Sequence, residues 1–171
     1  MPSGSSSAAF GVIGHPAEIA TDPVRVENDE TPPDGLRLVP VYGIQASAGH
    51  GVIAPDFEEV DYTLAFPADY LRSISKSNPK NLVIIGVKGD SMEPTLKDDD
   101  IVMVDTSKQN LGFDGLFVLN FDGATHVKRI SRSKPEHIVV ISDNKANYPP
   151  VEYRGADVQV IGKVIWKGGK V

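Results

Sequence analysis

From residue 36 onward the chain alternates short apolar runs with polar turns, a pattern typical of β-strands. Two of these runs flank the dipeptide Asp122-Gly123, which favours a tight hairpin turn. A weak helical pattern begins at Pro67, because proline is favoured at the first position of a helix, and extends to residue 74. We predict strands at residues 36–46, 58–66, 82–87, 101–105, 115–121, 124–130, 137–142 and 158–166. Short strands at this spacing predict a mostly-β domain of the sandwich or barrel-like type.

The beginning of the chain has a different composition. Residues 1–35 are rich in Ser, Pro, Gly and acidic side chains and show little periodicity. Such a composition is typical of a linker or mobile arm. We therefore predict a flexible linker or arm over residues 1–35 and one folded domain over residues 36–171.

The composition excludes several kinds of site and several classes of protein. With 171 residues and 40% hydrophobic side chains, the chain can build one real core. The absence of Cys excludes disulfides, thiolate zinc sites and a Cys nucleophile. The net charge is −6, and no stripe of Lys and Arg interleaved with aromatic residues marks a nucleic-acid surface. Because no apolar stretch is long enough to span a bilayer, we expect a soluble, cytoplasmic protein with no membrane partner.

The sequence Gly-Asp-Ser-Met-Glu-Pro-Thr-Leu at residues 89–96 places a hydroxyl directly after the apolar run 82–87. One interpretation is a cap, with Asp90 or Ser91 closing the first turn of a short helix that has Pro94 early in it. The other is a nucleophile held on a rigid turn. Because a serine hydroxyl is a weak nucleophile at neutral pH, the second interpretation requires a base nearby.

Histidine and lysine are the candidate bases. His15 lies in the arm, His137 opens a strand without an obvious link to Ser91, and His126 leaves a His-based triad possible. A buried lysine that desolvation keeps neutral is the other solution. Lys128 lies in the middle of an apolar-patterned strand and shares its face with His126, although a lysine in a strand is more often simply solvated.

Three motifs together resemble the self-cleaving serine peptidases of the LexA, UmuD and phage-repressor family. They are the Ser91 motif at residues 89–96, the acidic turn 98–100 leading into strand 101–105, and Val-Lys-Arg at 127–129. The resemblance covers about residues 38–167 and implies a compact, multi-stranded LexA-like fold with short helical turns. It implies Ser91 as the nucleophile and Lys128 as the general base. It also implies an oxyanion hole of the Asp90 and Ser91 backbone N–H groups, with no metal or cofactor.

The family cuts one of its own peptide bonds upstream of the serine, commonly Ala–Gly or Cys–Gly. Here Ala48–Gly49 occupies the matching place, in a loop of small residues that could also be an ordinary flexible turn. Gly49 would let the backbone enter a narrow cleft in conformations that a Cβ blocks. One departure is His126, which stands where the family often has Thr two positions before the lysine. A protonated His126 would ease deprotonation of Lys128, whereas a neutral one could replace the hydroxyl as a hydrogen-bond partner.

The resemblance also implies a function and partners. We expect the C-terminal autoproteolytic and dimerisation domain of a phage-type, LexA-like repressor, cut when a DNA-damage recombinase filament acts as co-protease. Operator DNA would be bound only through a helix-turn-helix domain absent from this chain. One alternative is a UmuD-like self-processing subunit of an error-prone polymerase. Another is a peptidase fold kept only for dimerisation, which the presence of both Ser91 and Lys128 argues against.

The C-terminal apolar run suggests a surface for the homodimer. Residues 158–166 alternate so that one face is apolar and the other is mixed. We predict that this run is an exposed edge strand that pairs with a second copy, because an uncovered edge tends to aggregate. The alternative is a strand in the interior of the sheet.

Overall fold

The computed structural model describes residues 35–46, 60–112 and 114–171. This part of the chain forms one sheet of nine strands and one seven-residue α-helix. The elements are β1 Leu36–Ala46, β2 Val60–Pro67, α1 Ala68–Ile74, β3 Leu82–Val87, β4 Ile101–Asp105, β5 Gly115–Phe121, β6 Ala124–Arg132, β7 His137–Ile141, β8 Val151–Arg154 and β9 Gln159–Gly168. Short 3₁₀ turns lie at Pro79–Asn81 and Gly155–Asp157. The mostly-β fold class predicted from the sequence is confirmed.

The strands run in the order β2-β1-β3-β4-β9-β5-β6-β7-β8. Strands β1 and β3 pair in parallel, and every other neighbouring pair is antiparallel. The predicted hairpin joins β5 to β6, with Asp122 at φ 51° and Gly123 at φ 76°. Positive φ at both positions is the type I′ form of a two-residue hairpin turn, which Asp and Gly tolerate. This turn sets the register that brings Lys128 opposite Phe117.

Strand β8 was not predicted from the sequence. It has four residues, Val151–Arg154, and three of them are exposed. An exposed strand of this length carries no clear alternation of apolar and polar residues. Its pairing with β7, in the register that places His137 opposite Arg154, defines it instead.

The prediction that the C-terminal strand is an edge strand is wrong. Strand β9 lies inside the sheet, where its first half pairs with β5 and its second half with β4. The outermost strands of the described sheet are β2 and β8. Ile161 of this strand is only 8% exposed and packs into the core, as a strand inside the sheet requires.

The largest of the three apolar clusters in the described part of the chain fixes the Ser91 turn to the sheet. Met92 and Leu96 leave this turn and are 2% and 1% exposed. Burial of each of these side chains stabilises the fold by roughly 2 kcal/mol. The strands supply Val83, Ile85, Val87, Val102, Val104, Val118, Val127 and Ile161. The turn is therefore anchored from inside the domain, one residue after Ser91.

Among the described helices, none has the length and apolar character needed to cross a bilayer. Residues 1–34 and 47–59 lie outside the described residues, so the predicted linker and the Ala48–Gly49 bond stay predictions.

Candidate active site

Ser91 lies on an irregular turn between β3 and β4. Gly89 has φ 84°, a conformation that favours glycine, and the chain then runs through consecutive turns to Leu96. The Glu93 N–H donates to the Asp90 carbonyl at 3.0 Å, and the Leu96 N–H donates to the Met92 carbonyl at 2.9 Å. No helix begins at this turn in the described structure, so Ser91 is not a helix cap.

The acidic residues after the turn close it from the other side. The Asp98 carboxylate accepts a hydrogen bond from the Gly89 N–H at 2.8 Å. The buried Asp100 carboxylate accepts one from the Lys97 N–H at 2.9 Å. Lys88 and Asp99 form an ion pair across the same loop. The acidic motif at residues 98–100 therefore stabilises the loop around Ser91, and in the described structure it forms no hydrogen bond with Ser91 or Lys128.

Lys128 projects from the middle of β6 to the Ser91 hydroxyl. The residue is only 9% exposed, and its Nζ donates a hydrogen bond to Ser91 Oγ at 2.6 Å. Burial lowers the pKa of Lys128 below its ordinary value, while the carboxylates of Asp143 and Asp90 partly oppose that shift. A nearly buried amine in contact with a hydroxyl can, in its neutral form, accept the hydroxyl proton.

The backbone N–H groups of Asp90 and Ser91 were predicted to form the oxyanion hole. Among the described residues, neither group donates a hydrogen bond. Unpaired donors beside a nucleophile are able to stabilise an oxyanion. Their role stays a prediction.

His126 lies two residues before Lys128, on the same face of β6. Burial lowers the pKa of His126, and the nearby Lys128 charge lowers it further, so the neutral imidazole is favoured. Its ring stacks on Phe121 with centroids 4.4 Å apart and an interplanar angle of 27°. Within the described part of the chain, His126 donates no hydrogen bond to Lys128 or Ser91. His126 therefore resembles a packing residue at the rim of the site more than a proton acceptor.

The remaining histidines lie elsewhere or outside the described residues. His137 Nδ1 is 3.0 Å from the Pro135 carbonyl oxygen, at the start of β7. His15 and His50 lie outside the described residues. In the described structure, no group of three or more His, Asp or Glu side chains could hold a metal ion.

Sequence reasoning missed the segment that follows β7, residues 142–148. The Asn144 N–H donates to the Ser91 carbonyl at 3.1 Å, and Asn144 Nδ2 donates to the Asp90 carbonyl at 3.3 Å. The Tyr148 hydroxyl donates to the Asp90 carboxylate at 2.7 Å, and Lys128 Nζ lies 5.8 Å from the centroid of the Tyr148 ring. A dense set of hydrogen-bonding side chains directly after a predicted strand was the only signal in the sequence.

Asp143 in the same segment ties β6 to the Ser91 turn. Its carboxylate accepts two hydrogen bonds from Arg129, at 2.9 and 2.8 Å, and one from Thr95 Oγ1 at 2.5 Å. The hydrogen bond from Arg129 is the main cause that lowers the pKa of Asp143. Bidentate pairing fixes both geometry and charge. Arg129 and Lys128 therefore point to different partners, as their opposite positions in the strand require.

A cavity of about 730 Å³ lies at another place in the fold, at the turn between β6 and β7. Arg132, Lys134, His137 and Arg154 are among the residues that line it. Lys134 is already paired with Glu152 at 3.0 Å, and Glu136 also faces the cavity. Neither Ser91 nor Lys128 contributes to its lining, so the cavity is separate from the candidate site.

Comparison with known proteins gives the site a context. The model of the family described as Peptidase S24-like matches residues 40–165 of the chain. The 26 kDa repressor protein of Escherichia phage HK022 is 36% identical over 110 residues, which cover 63% of this chain and 46% of that protein. Repressor protein CI of Enterobacteria phage phi80 is 28% identical over 141 residues, or 82% of this chain and 59% of that protein.

A bacterial regulator shows a longer match. The HTH-type transcriptional regulator PrtR of Pseudomonas aeruginosa is 29% identical over 156 residues, which cover 86% of this chain and 60% of that protein. The chain therefore spans between 46% and 60% of the length of these relatives.

Proposed function

Because the chain belongs to the Peptidase S24-like family, we propose that it is the self-cleaving domain of a phage-type, LexA-like transcriptional repressor. The observation that carries the proposal is the 2.6 Å contact between Lys128 Nζ and Ser91 Oγ, made by a lysine residue that is only 9% exposed. A serine with a buried lysine as its partner can act as a nucleophile without histidine. The alternative of a peptidase fold kept only for dimerisation does not explain this contact.

The proposed reaction is an intramolecular acyl transfer. Neutral Lys128 takes the Ser91 proton as Oγ bonds to the Ala48 carbonyl carbon, while the backbone N–H groups of Asp90 and Ser91 stabilise the oxyanion. Lys128 then donates that proton to the Gly49 nitrogen as the Ala48–Gly49 bond breaks. Water then attacks the carbonyl carbon of the Ala48–Ser91 ester while Lys128 accepts a proton from that water. Lys128 returns the proton to Ser91 Oγ as the ester bond breaks, which leaves Ala48 with a free carboxyl group and restores the serine. The reaction needs no metal or cofactor.

The wider role is proposed from the names of the relatives. Two of them are repressors of phages, and another is an HTH-type transcriptional regulator. We infer that the domain forms homodimers, that residues 1–35 are a linker, and that operator DNA is bound by a helix-turn-helix domain. Cleavage in the cytoplasm, with a DNA-damage recombinase filament as co-protease, would separate DNA binding from dimerisation. These names favour a repressor over the UmuD-like polymerase subunit.

A self-cleavage assay tests the proposal. The purified protein is incubated over a range of alkaline pH values and its fragments are identified by mass spectrometry. We expect a fragment that begins at Gly49 from the wild type and from Ser73→Ala, which removes a hydroxyl on α1. Ser91→Ala is expected to stay intact. Equal cutting of Ser91→Ala would overturn the proposed nucleophile, whereas a different new N-terminus would overturn the site alone.

A further inference from the structure

The carboxylates of Asp90 and Asp143 act on Lys128 through their charge, but in the described structure neither forms an ion pair with it. Asp90 directly precedes Ser91, and Asp143 follows β7. The charge of each favours the ammonium form and so raises the pKa of Lys128. Among the described residues, Lys128 nevertheless forms no ion pair, and its amine contacts the Ser91 hydroxyl instead.

Each carboxylate is occupied by other donors. Asp143 accepts both arms of the Arg129 guanidinium and the Thr95 hydroxyl. Asp90 accepts the Tyr148 hydroxyl at 2.7 Å, and Asn144 Nδ2 holds its carbonyl at 3.3 Å. The hydrogen bonds from Arg129, Thr95 and Tyr148 fix the direction of the two carboxylates, because directional hydrogen bonds oppose rotation of the acid side chains.

We propose that Tyr148 and Arg129 are positioning residues that hold the carboxylates of Asp90 and Asp143 away from Lys128, so that its amine keeps Ser91 as partner. The inference rests on the proposed function, in which Lys128 must be neutral to act as a base. A released carboxylate would rotate towards the amine and form an ion pair. An ion pair stabilises the ammonium and removes the base from the reaction at a given pH.

Other charged groups around Lys128 do not replace this arrangement. On β6 itself, His126 is a weak base whose neutral form burial favours, and Arg129 is engaged by Asp143. Lys145, in the segment after β7, lies near enough to lower the pKa of Asp143. The two carboxylates are thus the described groups that act on Lys128 to retain its proton.

Tyr148→Phe is the decisive variant, because it removes the hydroxyl and keeps the ring beside Lys128. We expect the midpoint of the pH–rate profile for self-cleavage to rise by about one pH unit. In an Asp90→Asn background, the same substitution should leave the midpoint unchanged, since no carboxylate remains to be released. Arg129→Gln should raise the midpoint through Asp143.

A purely structural role for Tyr148 predicts another result. Cleavage would then slow by the same factor at every pH, with an unmoved midpoint, and the Asp90→Asn background would not alter the effect. That result would overturn the inference while leaving the Ser–Lys reaction intact.

A titration that does not depend on cleavage separates the two proposals. Lysine is labelled with ¹³C at Cε in the full chain, with Gly49→Val introduced to prevent self-cleavage, and the Lys128 signal is followed by NMR against pH. Tyr148→Phe should raise its midpoint in the Asp90 protein but not in Asp90→Asn. Unchanged midpoints in both would overturn the inference even if the wild type cuts itself. If the wild type never cleaves itself, the proposed function is overturned. This titration alone then decides whether Tyr148 is a positioning residue.

Discussion

Lys128 and Asp105 are both buried in the sheet beside serine hydroxyls, but their surroundings differ. Asp105 ends β4 with 0% exposure, and its carboxylate accepts hydrogen bonds from Ser75 Oγ at 2.9 Å, Ser107 Oγ at 2.6 Å and the Ser107 N–H at 3.1 Å. Lys108 Nζ lies 3.4 Å away. Lys128, by contrast, has the single Ser91 hydroxyl within hydrogen-bond distance among the described residues.

The difference in partners decides which form of each group the fold favours. Burial alone raises the pKa of Asp105, but hydrogen bonds from Ser107, Ser77 and Ser75 outweigh it, and the pKa falls below its ordinary value. Burial lowers the pKa of Lys128 more than Asp143 and Asp90 raise it. The fully paired group stays charged and stabilises the fold. The poorly paired one is pushed towards its neutral, reactive form.

The largest expected effect is the loss of self-cleavage in Lys128→Ala. The rate should fall by roughly 10⁴-fold or more at every pH, because the reaction has no other base. A fragment assay measures this, with Lys134→Ala as the control for removal of an exposed, ion-paired lysine. Thermal unfolding should show that Lys128→Ala stays folded. Cleavage by folded Lys128→Ala at the wild-type rate would show that Lys128 is not the base, so that it would not differ from Asp105 in its part in the reaction.

Asp105→Asn should have the opposite effects from Lys128→Ala: a loss of stability and an unchanged cleavage rate. The variant leaves the serine donors with a poorer acceptor, and we expect the free energy of unfolding to fall by about 1–3 kcal/mol. The cleavage rate of the folded protein should not change, because Asp105 does not contact the dyad. Urea unfolding measures the loss, with exposed Asp157→Asn as the control. Equal stability of the two variants would contradict the structural role of Asp105.

The two groups should also give pH dependences of stability that have the same sign but lie in different pH ranges, one acidic and one alkaline. Because folding lowers the pKa of Asp105, its contribution is present above the ordinary value of 3.8 and is lost as the pH falls through the folded value. Folding also lowers the pKa of Lys128, so the unfolded chain binds that proton more readily, and stability rises with pH towards 10.5. Urea unfolding against pH should lose the acidic slope in Asp105→Asn and the alkaline slope in Lys128→Met. Retention of both slopes would contradict these signs.

The smallest expected effect belongs to His126→Ala. Loss of the ring that stacks on Phe121 admits water near Lys128, so the midpoint for cleavage should rise slightly, by less than in Tyr148→Phe. Phe121→Leu is a matched variant that weakens the same stack and should act in the same direction. A large loss of rate at all pH values in His126→Ala would give this residue a direct part in the reaction.

Local pattern drew attention to the residues of the candidate dyad, and the family resemblance joined them, but neither found the residues around them. The apolar run of β3 and the following turn identified Ser91, and the apolar neighbours of Lys128 marked a buried position. Asn144 and Tyr148 reach Asp90 across 54 and 58 residues, and such contacts depend on strand order, which periodicity does not encode. The same limit explains why β9 was mistaken for an edge strand, since an alternating pattern does not distinguish a central strand from an outer one.

The pH–rate profile of self-cleavage tests most directly whether Lys128 is the base. The full chain is incubated at a series of pH values from 6 to 11, and the first-order rate is measured for the wild type, His126→Ala and Lys128→Ala. We expect the rate to rise with pH until Lys128 is deprotonated, His126→Ala to keep this shape, and Lys128→Ala to stay uncut. A profile that levels off near neutrality and disappears in His126→Ala would instead make the histidine the base.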